Sequence, residues 1–509
     1  MRDCLRRTLA CLAAVLLLMP LAAHAVSQSP YAGYTYDAWG RSVPAPSGYL
    51  CQQVIYPQDT SAGAISGARD LFVYRDMLYI ADTGNDRILV LDEQYDFVRE
   101  MREFTLPDGT LTALNKPSGL YIREERILIA DTENGRVLDC DMEGNVSQVF
   151  TRPQTEFINA AMAFRPAKVG RDASGFVYVL AEGIYQGLLC YDSDGQFTGF
   201  YGSNKVTVNL SVIVMQLWKK LLSQEQAQSM ERFIPVEMAN LFIDADDFIF
   251  SVTNGSVDAT QRSTGKVQRL NPLGNNVLRY NERDVQASGG ALYRLDIYGD
   301  VEYAYVKSVL VDSVFVDIHV DENGVFSVLD RERGRIFQYD KEGNLLFIFG
   351  GIGNQKGTFA VPSAIEKFAG QYVVLDESMN SLTVFRQTSY ARLVLEAAKL
   401  YNEGLYAQAE PIWRKVLAVN AGNTMAYRSI GKYYLEQKDY GAALECLKLG
   451  QDRDAYSMAF SQYRKAWLQE NFLWLAAACA AGFVLLRYLL RLLLKKLGFE
   501  RKRTRIVFH

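Results

Sequence analysis

At 509 residues, 49% of them hydrophobic and 22% charged, the chain is too apolar for a disordered protein and long enough for two or more domains. Its 54 Lys and Arg stand against 58 Asp and Glu, a net charge of −4 that offers no basic footprint for a nucleic acid. Thirty Tyr and 26 Phe suit a β-rich body.

In chain order, residues 1–25 read as a secretory signal. Arg2, Arg6 and Arg7 precede an apolar run over 9–18, and Ala23-His24-Ala25 forms a small-residue cleavage site. No Cys stands just beyond the run to mark a lipoprotein. Residues 26–48, rich in Tyr, Pro and Gly, are a lead-in expected to pack against the β-rich body. Residues 49–56 look like a strand standing before the first full repeat.

The repeats begin with Ala81-Asp82-Thr83-Gly84-Asn85-Asp86-Arg87-Ile88. The phrase returns as Ala130-Asp131-Thr132-Glu133-Asn134-Gly135-Arg136-Val137 and as Leu329-Asp330-Arg331-Glu332-Arg333-Gly334-Arg335-Ile336. In each, a β-rich run ends on an acidic residue, a polar turn comes next, and a second run ends on Asp92, Asp141 or Asp340, which predicts a hairpin of fixed register. Weaker copies centre on Glu182, Asn254 and Asp376, so successive spacings are 49, 51, 72, 76 and 46 residues. Such a period predicts stacked β units, two of them carrying insertions.

These phrases resemble the NHL-repeat family of β-propellers. The resemblance implies a six-bladed β-propeller over 49–388 and a recognition surface, with no single activity attached to the fold. The sixth unit shows only three strands before helix begins, so residues 49–56 are expected to supply its outer strand and close the ring. In a four-stranded antiparallel blade, the second-to-third-strand turns and the links between blades share one face. The segments 205–232, 255–265 and 281–312 are all expected on that face, where binding is then expected. Helical spacing of Leu210, Ile213, Val214, Leu217 and Leu221 predicts a helix within 205–232.

Beyond Arg386 the pattern turns helical. Two segments match at a shift of 34, pairing Ala397 with Gly431, Tyr406 with Tyr440, Ala409 with Ala443 and Trp413 with Leu447. They resemble tetratricopeptide repeats and assign 389–470 to a small helical domain, a stalk or a docking site. Residues 455–472 lack Pro and Gly and should cap it, running unbroken into an apolar span over 471–494. Lys495, Lys496, Arg501, Lys502, Arg503 and Arg505 come after the span, against only Arg464 and Lys465 before it. The bias predicts a cytoplasmic tail of 495–509 and an exported bulk in a single-pass cell-membrane protein. Cys51, Cys140, Cys190 and Cys446 show no metal-ligand spacing and no Cys-x-x-Cys pair, and are expected to be free.

The recurring Asp82, Asp131, Glu182, Asp330 and Asp376 are read as blade structure. Each carboxylate ends a strand, accepts turn N–H groups, and can pair with Arg87, Arg136 or Arg335 five residues on. A varying position is more informative for function. Asp70, Gly119, Lys168, Asn240, Asp317 and Ala364 fall at one level of the inner strands, near the mouth of the central channel. Similarity to six-bladed lactonase-like propellers implies a metal at about that depth. Asp70, Asn240 and Asp317 then offer oxygen ligands to Ca²⁺, and Lys168 faces them or holds an anion. No other cofactor is expected. His319 lies in a strand with no partner pattern, and no nucleophile elbow, phosphate loop or zinc motif occurs.

Together these features predict a non-enzymatic, membrane-anchored extracytoplasmic protein. Its partners would be envelope or membrane proteins, or an extracellular glycan or peptide, met by the loop face of the propeller. A metal-dependent lactonase, lyase or hydrolase using the channel mouth is the competing expectation.

Overall fold

The structure is a computed structural model. It describes residues 29–37, 40–155, 158, 162–202, 238–253, 267–278, 282–286, 292–296, 298–300, 304–306, 309–311 and 313–497. The signal at 1–25, the segments 205–232 and 255–265, Asn254 and the tail beyond 497 lie outside the described residues. The chain divides into two compact units, 1–392 and 393–509.

The first unit is a six-bladed β-propeller. Blade 1 is built from Asp70–Tyr74, Met77–Asp82, Arg87–Leu91 and Phe97–Met101, and blade 2 from Pro117–Arg123, Arg126–Asp131, Arg136–Asp141 and Val146–Thr151. Blade 3 comes next with Pro166–Arg171, Val177–Ala181, Leu188–Tyr191 and Phe197–Tyr201, and blade 4 with Met238–Ile243, Ile249–Thr253 and Val267–Leu270. Blade 5 is Phe315–Val320, Phe326–Asp330, Arg335–Tyr339 and Leu345–Gly350. Blade 6 takes Pro362–Phe368, Gln371–Asp376 and Ser381–Gln387, and its fourth strand is Tyr49–Ile55 from the other end of the unit. The expected closure is therefore present, and the innermost strands neighbour one another in an unbroken ring.

Apolar residues cover both faces of the inner strands' partners because each blade is sandwiched between two others. Leu78, Ile80, Leu89 and Leu91 of blade 1 pack with Val373, Leu375, Leu382 and Val384 of blade 6, whereas Tyr79, Ala81, Ile88 and Val90 turn to blade 2. Between blades 5 and 6 the filling is aromatic. Tyr49 stacks on Phe349 at 4.6 Å and meets Tyr372 edge-on at 5.2 Å, so the closing strand brings its own anchor.

The repeated acidic residue does the same job in blade after blade. Ser66 N–H donates to Asp82, Asn115 N–H to Asp131, Val314 N–H to Asp330 and Ala360 N–H to Asp376, each donor lying 16 residues before its acceptor. The carboxylate thus ties the incoming link to the turn between the second and third strands. Arg87 and Arg136 complete the device, each donating Nε–H to the Asp five residues earlier at 2.6 and 2.8 Å.

Blade 5 departs from that expectation. Arg335 and Arg333 both bind Asp300 instead of Asp330, and burial lifts the Asp330 carboxyl to about 6. Asp300 also accepts from Tyr36 and, at 2.7 Å, from Tyr34 of the lead-in hairpin Tyr34–Tyr36 and Ser42–Pro44. Burial opposes ionisation of Asp300, yet Arg335, the two tyrosine hydroxyls and Arg333 hold it below the ordinary carboxylate range. The lead-in is therefore clasped to blade 5 by a carboxylate from the segment between blades 4 and 5. The described part of that segment holds two hairpins, Glu282–Gln286 with Leu292–Asp296 and Ala304–Val306 with Val309–Val311.

The second unit is helical. α1 (Ser389–Asn402), α2 (Tyr406–Val419), α3 (Thr424–Glu436) and α4 (Tyr440–Leu449) lead into α5 (Arg453–Lys496), which is 44 residues long. Asn423, Asp439 and Asp452 each cap the next helix by accepting an N–H three residues on. The small residues sit at close approaches, as the shift of 34 predicts. A Cβ on Gly431 would lie 2.6 Å from Leu447 Cγ, and Ala397, Ala409, Trp413, Ala443 and Leu447 are fully buried.

Removing residues 29–55 should leave blade 6 with a raw edge and abolish cooperative unfolding of the propeller. Removing 29–44 alone should lower its melting temperature while the transition stays cooperative, because the ring remains closed. Circular dichroism melts of the two truncations check this, and cooperative melting of the longer truncation would contradict it.

Candidate functional site

The six residues aligned in the sequence do share a level. Asp70 stands opposite Ala81, Gly119 opposite Ala130, Asp317 opposite Leu329 and Ala364 opposite Leu375, each partner being one residue before the strand-ending Asp. Lys168 and Asn240 stand opposite Leu180 and Val252. In blades 2 to 6 the register slips immediately before this position, between 117 and 119, 166 and 168, 238 and 240, 315 and 317, and 362 and 364. Such bulges re-aim a side chain, here at the level of Asp70, Lys168, Asn240 and Asp317.

Those groups engage one another. Lys168 Nζ binds Asp70 Oδ1, and Asp70 Oδ2 accepts Leu120 N–H at 2.7 Å. Asn240 Nδ2 donates to Asp317 Oδ1, while Asp317 Oδ2 accepts Ile365 N–H at 2.6 Å. The carboxylates thereby pin blade 1 to blade 2 and blade 5 to blade 6. Lys168, from blade 3, reaches Asp70 past blade 2, where the intervening residue is Gly119. A Cβ there would lie 2.3 Å from Ala167 O and 2.9 Å from Lys168 Cα, so only glycine fits.

Asp70, Asn240 and Asp317 are 5%, 3% and 6% exposed, so the electrostatics are those of an interior. Burial raises Asp70 above the usual carboxylate range against the pull of Lys168, and it drives Asp317 up to about 8, with Lys168 opposing and Asp70 reinforcing. Burial depresses Lys168 as well, but Asp70 and Asp317 outweigh it and leave the ammonium above its ordinary value.

Two residues further along the inner strands lies a pair that sequence reasoning missed. His319 Nδ1 and Glu366 Oε2 are 2.7 Å apart, both buried, with the Phe242 ring edge-on to the imidazole at 5.3 Å. Their signal was the strand period itself: they come two residues after Asp317 and Ala364, which returns them to the channel side. Lower still, Arg123 of blade 2 binds Asp247 at the far end of blade 4's first hairpin, at 3.0 Å.

Ca²⁺ does not fit this set as it stands. An ammonium already occupies one Asp70 oxygen, and both Asp317 oxygens accept N–H groups. Among the described residues no three His, Cys, Asp or Glu converge as metal ligands. What the arrangement does chemically is to cross-link blades around the axis. The cysteines at 51, 140, 190 and 446 are free, as expected, and Cys479 is free as well.

No protein-family model matches the chain, and no curated protein matches it. Solved structures resemble it at low identity. Virginiamycin B lyase from Staphylococcus aureus is 10% identical, with 66% of this chain and 99% of that one covered and a TM-score of 0.35. Hydrazine synthase of Kuenenia stuttgartiensis is 11% identical over 64% and 96%, with a TM-score of 0.38. A luciferin-regenerating enzyme is 12% identical over 67% and 96%, with a TM-score of 0.35.

Lys168→Met should destabilise the propeller by about 3–5 kcal/mol near neutral pH, since it strands buried carboxylates without their cation. Carboxyls with raised pKa contribute most when protonated and lose that contribution as pH rises. The deficit of Lys168→Met relative to the parent should therefore shrink as pH is lowered from 8 towards 5, which urea titrations across that range would read. A deficit that grows on acidification would contradict the assignment. Gly119→Ala should be similarly damaging by pushing apart the inner strands of blades 2 and 3, although it removes no charge.

Proposed function

We propose that the protein is a membrane-anchored, extracytoplasmic interaction protein: an NHL-type propeller that recognises a partner through the face carrying its links and Asp turns, joined to tetratricopeptide-like helices and a single span. The observation that carries this reading is α5. Its 44 residues extend about 66 Å at 1.5 Å per residue, more than twice the roughly 30 Å of a bilayer's hydrocarbon core. Its first part packs on α4, with Ala459 fully buried. Its later part is long and apolar enough to cross a membrane and exposes Phe472, Leu473, Trp474, Phe483 and the leucines up to Leu494 to its surroundings. An apolar surface of that extent on one helix calls for a lipid solvent.

Charge supports one direction of insertion. Lys495 and Lys496, with the basic residues after them, outnumber Arg464 and Lys465, so the tail is cytoplasmic and both folded units are outside. The signal-like first 25 residues agree with export. Binding is favoured over catalysis because the charged groups at the channel mouth are engaged with one another. Partners are envelope or membrane proteins, or an extracellular glycan or peptide.

The full chain expressed in membranes should resist extraction by alkaline carbonate, and protease added from outside should digest the propeller and spare only the span and the residues after it. Release by carbonate, or protection of the propeller, would refute the anchored topology. A soluble chain of residues 26–470 should capture a partner from detergent-solubilised membranes or bind an extracellular glycan or peptide. Failure of all three would refute the recognition reading while leaving the topology standing.

A further inference from the structure

The loop joining blade 5 to blade 6 is tied to itself. Gly353 N–H donates to Phe359 O, Phe359 N–H to Gly351 O, and Thr358 Oγ1 both accepts Gln355 N–H and donates to Gln355 O. It is also tied to the closing strand. Lys356 Nζ binds Gln52 O, and Gly357, at φ +91°, comes so close that a Cβ would lie 2.8 Å from Cys51 Cβ. One wall of a crevice is thereby held in place before any ligand arrives.

The other walls are the closing strand Tyr49–Ile55 and blade 6's Ser381–Gln387, and the half-open space between them measures about 350 Å³. That falls within the roughly 300–1,000 Å³ of small-ligand sites. Along Ser381–Gln387, Leu382 and Val384 turn towards blade 1, so Ser381 and Thr383 turn the other way and form the floor. They are 1% and 2% exposed, and neither hydroxyl is engaged by a described protein group. The access these hydroxyls keep is to the crevice, which leaves both able to donate to and accept from a polar ligand there. Asn354 and Gln355 add amides at the rim, Tyr56 and Met379 add apolar surface, and no carboxylate lines the space.

We infer that this crevice is a saccharide subsite that takes one or two sugar rings of a glycan at the edge of the propeller's loop face. It deepens the recognition reading above and rests on it. A sugar ring presents hydroxyls that both donate and accept, which hydroxyl and amide side chains match, and a C–H face that an aromatic ring and a thioether cover. Without a lining carboxylate, acidic sugars are admitted as readily as neutral ones, and Lys356 stands where it meets them.

The test is saturation-transfer NMR on the full chain in a phosphocholine detergent with glucose, galactose, N-acetylglucosamine, glucuronate, cellobiose, lactose and chitobiose. At least one sugar should receive saturation, and the double substitution Ser381→Ala, Thr383→Val should weaken its binding about tenfold or more. The same variant should melt no lower than the parent, because those hydroxyls satisfy nothing inside the protein, an outcome a structural role would not give. Met379→Trp, which fills the crevice from its rim, should abolish the signal and decides the matter if the double variant folds poorly. No transfer to any of these sugars, or transfer unchanged by these variants, overturns the subsite. Capture of a partner from solubilised membranes in that case would show that the broader recognition reading survives without it.

Discussion

The hydrogen bonds between Tyr49–Ile55 and Ser381–Gln387 carry the architecture. Blades 1 to 5 are complete or nearly so within contiguous stretches of chain, but blade 6 has an open edge until a strand from more than 300 residues earlier fills it. An unpaired edge in a wheel of packed blades is both a site for wrong pairing and a gap in the core, and the arriving strand removes both faults at once. Tyr49 fills the gap against Phe349 and Tyr372, and its hydroxyl donates to buried Gln338 at 3.1 Å. A contact of such long sequence separation carries a large loop-closure entropy, which the pairing and the aromatic packing offset.

Once the ring is closed, the same polar device recurs in blades 1, 2, 5 and 6. The carboxylate at the end of the second strand takes a backbone N–H from the link 16 residues earlier, which converts a flexible connection into a fixed one. Where Arg87 and Arg136 come five residues later, the charge is neutralised locally. In blade 5 the arginine has been drawn away to Asp300, and that diversion fastens the lead-in hairpin to the propeller. One side chain's change of partner thus exchanges neutrality within a blade for attachment between segments.

Much of this was legible in the sequence because it repeats. Period, blade number, the closing strand, the helix pairs offset by 34 and the uninterrupted final helix are all patterns visible in one dimension. The common level of Asp70, Lys168, Asn240 and Asp317 was visible too, since aligned inner strands carry their level with them. What those side chains bind was not. Whether a lysine in one blade reaches a carboxylate two blades away depends on the emptiness of Gly119 between them, a fact about the ring and not about any local stretch. His319 with Glu366, and Arg335 with Asp300, were hidden for the same reason, their partners being 47 and 35 residues away.

The two polar sites on this propeller illustrate opposite outcomes of burial. At the axis six strands converge, Asp70 and Asp317 are buried, and each finds a cation or N–H groups within the protein; that pairing occupies the groups a ligand would need. At the crevice between blades 5 and 6 the floor is formed by two neutral hydroxyl side chains, Ser381 and Thr383, which face open space and need no charge partner. A small set of buried neutral groups beside a prefixed loop is a stable way to keep hydrogen-bonding capacity in reserve. A buried set of charges holds no such reserve, because each member is already paired with its neighbour.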